Sequence, residues 1–135
     1  MKKISFIGIL SGFILSIIVF ILLNLVMVLF FKHIMLNGRM DLIPTWYSLL
    51  FYVLVAISIS SALGGFIATK ISKRNSYLNP LIVGLFLIIY FLLLGVTNFD
   101  HEPDNMFPTW VGIAGYLIMI PSSLFGGYLH LRSQK

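Results

Sequence analysis

Apolar residues run along this chain in four long stretches, separated by short polar connections. They predict helices over about 4–31, 45–69, 77–97 and 108–131. The first stretch, Ile4 to Phe31, follows the basic start Met1-Lys2-Lys3 and opens like a secretory signal. Its apolar part is about twice the usual 7–15 residues, and no small-x-small cleavage site follows it. It reads as a retained transmembrane helix, long enough at about 1.5 Å per residue to tilt in a hydrocarbon core of roughly 30 Å. Pro44 suits the first turn of the second helix, where a missing N–H costs nothing. Trp46 and Tyr47 fall where an interfacial aromatic belt belongs. That helix is expected to end near Thr69, at the cationic turn Lys70-Ile71-Ser72-Lys73-Arg74-Asn75. The third opens on Asn79-Pro80, and the fourth starts at Pro108 and Trp110 and ends near Leu131.

Composition decides what solvent these helices face. The 135 residues are 59% hydrophobic and 10% charged, with a mean hydropathy of +1.03. Soluble domains carry about 25% charged residues, and a small domain cannot hide this much apolar surface from water. Lipid is therefore the expected solvent. The expectation is an all-α, integral membrane four-helix bundle, one domain spanning residues 1–135. Cysteine is absent, which excludes disulfides and thiolate chemistry.

The net charge of +5 reads as topology and not as a nucleic-acid footprint. Lys2, Lys3, Lys70, Lys73, Arg74, Arg132 and Lys135 fall on the side of the termini, against only Lys32 and Arg39 opposite. All four acids, Asp41, Asp100, Glu102 and Asp104, share that opposite side. Both termini are accordingly expected in the cytoplasm.

A repeat runs through the second and fourth helices. Pro44-Thr45-Trp46 leads to Ser60-Ser61-Ala62-Leu63-Gly64-Gly65-Phe66-Ile67, and Pro108-Thr109-Trp110 leads to Ser122-Ser123-Leu124-Phe125-Gly126-Gly127-Tyr128-Leu129. Both copies run in the same direction through the membrane, which implies two parallel helix-hairpin repeats. The expected consequence is a pseudo-two-fold pair in which Gly64 and Gly65 touch Gly126 and Gly127.

Small residues at spacing four let helix backbones approach closely, the main source of association in lipid. Helix two carries two such stripes, Ala56/Ser60/Gly64/Ala68 and Ser61/Gly65/Thr69. Helix four carries Ser122/Gly126 and Ser123/Gly127, preceded by Gly112 and Gly115. Helix one offers Gly8, Gly12 and Ser16, and helix three only Gly84 and Gly95. These stripes are expected to pack one chain against itself, while the doubled stripe of helix two suits two different neighbours. Pro121 frees the Leu117 carbonyl and bends helix four, with Ser122 and Ser123 placed to recapture freed backbone groups.

Reactive chemistry is sparse. No Asp, Glu, Lys or Arg lies well inside a span, whereas ion-coupled transporters mark their paths with such residues. Small multidrug exporters share this length and helix count, but helix one lacks the membrane-embedded glutamate on which that family depends. The deepest strongly polar residue, Asn24, is expected to bond a neighbouring helix, worth about 0.6–2 kcal/mol. Asp100, His101, Glu102 and Asp104 form the one cluster with metal-ligand chemistry, yet they lack a recognised spacing and Pro103 splits them. No metal is expected. His130 reads as an interfacial side chain at the last turn of helix four. The basic rim would attract anionic headgroups at about 1 kcal/mol per cation. No catalytic constellation and no cofactor motif is present.

Ser61-Ala62-Leu63-Gly64-Gly65-Phe66-Ile67-Ala68, a cationic turn, and Asn79-Pro80-Leu81-Ile82-Val83-Gly84 together resemble a loose group of small four-helix membrane proteins of Gram-positive bacteria. The similarity covers about a third of the chain. It implies the same architecture in a bacterial cytoplasmic membrane and carries no activity with it. Thr69-Lys70 departs from the small residues expected there. The leading reading is a non-catalytic membrane protein acting through helix contacts, as a homo-oligomer or an accessory or immunity-type subunit. The alternative is a small-solute transporter or channel whose polar path uses Asn24 and the serines Ser60, Ser61, Ser122 and Ser123. A lipid-acting enzyme ranks last for want of catalytic residues.

Overall fold

A computed structural model describes residues 4–30, 55–72, 77–98 and 109–134. These residues form four helices and no strand: α1 Phe6–Phe30, α2 Ser58–Ser72, α3 Leu78–Asn98 and α4 Thr109–Ser133. A single π turn at 55–57 leads into α2. Pro44, Trp46, the acidic stretch from Asp100 to Asn105, Pro108 and the cations Lys2, Lys3, Lys32, Arg39, Lys73, Arg74 and Lys135 lie outside the described residues.

Each helix begins or ends where local hydrogen bonding allows. Ser5 caps α1, since its Oγ accepts the N–H of Gly8 at 3.2 Å. Such a cap satisfies one of the donors that a first turn leaves over. At α3, Leu81 N–H donates to the Tyr77 carbonyl at 3.2 Å, and Pro80 occupies the first turn. The expected stop of the second helix at Thr69 is one turn short. It continues to Ser72, whose hydroxyl donates to the Thr69 carbonyl at 2.9 Å, and no Gly or Pro intervenes to break it. Lys70 and Ile71 therefore belong to the helix and not to a turn.

Contacts define the order of the bundle. The central helix α2 packs against α1, α3 and α4, while α1 and α4 lie across from one another. Gly8 meets the Ala68–Ser72 end of α2 and Gly12 meets Gly64, so α1 and α2 run antiparallel. Pro80 and Gly84 of α3 meet Gly127 and Ile120 of α4 in the same antiparallel sense. By contrast, α2 and α4 run parallel: Ile57 meets Gly115, Gly65 meets Ser123 and Thr69 meets Gly127. The starts of α1 and α3 thus share one end of the bundle with the ends of α2 and α4.

What fills each interface follows from residue size. The core joins Ile9, Ile57, Ala68, Val83, Leu87 and Met119. Where α3 lacks small residues, rings fill the gap to α1. Phe13 packs edge-on against Phe86 and Tyr90, and Phe20 against Phe91 with centroids 4.9 Å apart. The buried residues of α1, namely Gly8, Ile9, Gly12 and Ser16, all lie in its first three turns. By length and composition, Phe6–Phe30 and Val55–Ser72 are long and apolar enough to cross a membrane.

Candidate functional site

Among the described residues, the closest helix approaches surround α2. On one side, a Cβ added at Gly12 would lie 2.5 Å from the Gly64 carbonyl oxygen and 2.9 Å from Ala68 Cβ. One at Gly8 would lie 2.8 Å from the Ala68 carbonyl oxygen, and one at Gly64 would strike Ser16 Oγ. On the other side, a Cβ at Gly65 would strike the Ser123 carbonyl oxygen, and one at Gly126 the Ala62 carbonyl oxygen. Gly127 sits between α2 and α3, with its absent Cβ 3.0 Å from Thr69 Oγ1 and 2.7 Å from Pro80 Cγ. The two stripes of α2 therefore serve different neighbours: Gly64 faces α1 and Gly65 faces α4.

Gly64 and Gly65 do not have Gly126 and Gly127 as their nearest neighbours, contrary to expectation. Gly65 meets Ser123, Ile57 meets Gly115 and Thr69 meets Gly127, each 58 positions apart, while Gly126 meets Ala62, 64 positions apart. The repeated motifs, Ser60 with Ser122 and Gly64 with Gly126, are 62 apart. Each glycine therefore meets a residue to one side of the equivalent position, and not the equivalent glycine.

Buried hydroxyls mostly bond within their own helix. Ser16 donates to Gly12 O at 2.9 Å, Ser60 to Ile57 O at 3.1 Å and Thr69 to Gly65 O at 2.9 Å. Ser61 is buried and Ser122 half-buried. Ser123 is the exception. Its fully buried hydroxyl donates to the Pro80 carbonyl of α3 at 2.6 Å, so it does not recapture the group freed by Pro121. Ser123→Ala is expected to lower stability by about 1 kcal/mol, read by thermal unfolding in mild detergent.

Two further expectations are corrected. Among the described residues Asn24 bonds its own helix, its Nδ2 donating to Phe20 O at 2.8 Å, and not a neighbouring one. That i to i−4 bond uses one of the two N–H donors of the amide. Asn24→Leu is therefore expected to change stability by less than about 0.5 kcal/mol in the same assay. His130 does not extend outward, being 7% exposed with its ring edge-on to Phe66 at 5.1 Å. Gln134 Nε2 lies 2.9 Å from His130 Nε2, which accepts when the ring carries its proton on Nδ1. The proposed path residues do not converge, because Asn24 lies past the level of Ser60, toward the end of the bundle away from Ser5.

One buried polar side chain escaped the sequence. Asn79 is 0% exposed, and its Oδ1 accepts the backbone N–H of Ser5 at 3.3 Å. Its Nδ2 has no hydrogen-bond partner. A buried donor left in this state costs about 1–3 kcal/mol. The signal was an Asn-Pro pair opening an apolar run, read only as a helix start. Asp100, His101, Glu102 and Asp104 lie outside the described residues, and among the described residues no three His, Cys, Asp or Glu side chains group for a metal.

No protein-family model, curated protein or solved structure matches this chain.

Proposed function

We propose that this is a small, non-catalytic membrane protein that acts through helix–helix contact, as a homo-oligomer or as an accessory or immunity-type subunit of a membrane assembly. The observation that carries the reading is the backbone-close packing on two sides of α2, a scaffold built from contact and not around a reactive group. Large apolar side chains on the outside support a lipid setting, Leu117 of α4 being 72% exposed. Lys70 and Arg132, both exposed, sit at the end where α1 starts and α4 stops, which supports cytoplasmic termini. The parallel α2/α4 pair supports two helix-hairpin repeats. The architecture fits the Gram-positive membrane group that the sequence resembles.

Because the small-residue stripes are used within the chain, one surface open to a partner among the described residues is the latter half of α1. From Ile17 to Phe30 no residue of α1 is buried. The serine-lined path draws less support, since the hydroxyls of Ser60 and Ser123 donate to backbone carbonyls. Native mass spectrometry from mild detergent tests the proposal. A defined oligomer or a co-purified membrane protein is expected. A bare monomer, with crosslinking in native membranes also returning only monomer, overturns it.

A further inference from the structure

The latter half of α1 carries one polar side chain, and that side chain has hydrogen-bonding capacity to spare. Asn24 is half-buried, and its Nδ2 donates to Phe20 O of the same helix at 2.8 Å. A carboxamide also offers a second N–H and an oxygen with two lone pairs. Neither has a partner among the described residues. The single buried polar side-chain atom without a bond among those residues is Asn79 Nδ2, so the open part of the Asn24 amide lies at the surface. Asn24 also stands in a heptad pattern. Leu10, Ile14, Ile17, Ile21, Asn24 and Val28 follow one another at spacings of four and three, which draws one stripe along about 27 Å of helix. Leu10, Ile14, Ile21 and Val28 are exposed and Ile17 is half-buried. Gly8, Gly12 and Ser16, which meet α2, lie round the far side of the helix.

Hydrocarbon imposes no seven-residue period and offers a carboxamide no donor or acceptor. A second helix imposes the one and supplies the other. The identity of that helix follows from the amide. Two copies of this chain enter a membrane in the same direction, so a two-fold axis along the stripe sets each residue against itself. A carboxamide is complementary to its own copy, because the partly positive N–H of each meets the partly negative Oδ1 of the other. Ile14, Ile21 and Val28, seven residues apart, are β-branched, the type that parallel two-stranded coils take at the first apolar position of each heptad. We propose that two copies of this chain associate through this face of α1, with their Asn24 carboxamides hydrogen-bonded to each other across the two-fold axis. The inference rests on the homo-oligomer reading above and names the face and the polar pair that carry it.

The chain has no cysteine, so one introduced cysteine can form a disulfide only with another molecule. A disulfide needs Cα atoms within about 7 Å, so it reports which faces meet. Ile21→Cys and Val28→Cys on the stripe are compared with Leu22→Cys and Val26→Cys, which are comparably exposed but turned away from it. Each full-length variant is oxidised mildly in native membranes, and the product is identified by mass. Disulfide-linked homodimer is expected at the two stripe positions, at least fivefold above the other two. In density-matched mild detergent, Asn24→Leu is expected to weaken the dimer at least tenfold by sedimentation equilibrium. Its thermal unfolding, followed at dilutions where both proteins are monomeric, is expected to match the wild type, since the Phe20 bond lies within one helix. Equal crosslinking at all four positions, none at any, or capture of a different protein overturns the inference, as does an unchanged dimer constant for Asn24→Leu. The homo-oligomer or accessory-subunit reading fails separately, on a bare monomer in native mass spectrometry. A wild-type oligomer or a co-purified protein with a silent stripe leaves that reading standing and ends this inference.

Discussion

Gly65→Ala and Gly126→Ala are each expected to destabilise the bundle by about 3 kcal/mol, the upper part of the overpacking range, although each adds a single methyl. The methyl at position 65 would strike the Ser123 carbonyl oxygen, with its carbon at 2.7 Å, and the one at 126 would strike the Ala62 carbonyl oxygen, with its carbon at 2.6 Å. Backbone cannot rotate aside as a side chain can, so α2 and α4 must separate along their whole contact. Gly115→Ala is the control. Its Cβ would meet only Ile57 Cδ1 at 2.9 Å, the flexible tip of a side chain. That variant is expected to lose less than about 1 kcal/mol. Thermal unfolding of the three variants in mild detergent checks the contrast. Equal effects at all three positions, or the gain of about 1 kcal/mol that helix propensity alone gives to Ala over Gly, would show that helix approach does not govern these glycines.

Ile89→Arg is expected to cost about 2.5–3.5 kcal/mol of membrane insertion, the cost of a cation at the centre of a spanning helix. Ile89 is 52% exposed near the middle of α3, so it packs on lipid if the bundle spans a membrane. The same change on a surface facing water would alter stability by no more than about 0.5 kcal/mol. A glycosylation-based insertion assay on α3 separates the two. Unchanged insertion efficiency, together with improved solubility without detergent, would remove the lipid reading.

The four apolar runs made the helices legible, and the small residues at spacing four marked faces that the structure does place in close contact. Gly8, Gly12 and Ser16 of α1 were visible in this way, as was the division of labour between Gly64 and Gly65. The partner of each glycine was not visible. Two copies of Ser-Ser-x-x-Gly-Gly suggest that equivalent glycines meet, but the spacing does not say which backbone each one faces: Gly65 meets Ser123, Gly126 meets Ala62, and Gly127 meets Pro80, which also accepts from Ser123. Asn24 and Asn79 failed for a related reason. Composition shows that an amide must be satisfied, but only geometry shows whether its own helix supplies the partner, as at Phe20, or nothing does, as at Asn79.

The hydroxyls that bond back into their own helices bear on the order of assembly. If the bundle spans a bilayer and its helices enter in sequence, α2 arrives with the face for α4 still open. A free hydroxyl there would meet hydrocarbon. Thr69 would instead arrive already bonded to Gly65 O, so it can wait. Ser123, whose hydroxyl crosses to another helix, lies on the last helix to arrive, and its acceptor Pro80 belongs to the helix just before it. Thr69 and Ser123 would thus each have an acceptor at the moment of entry.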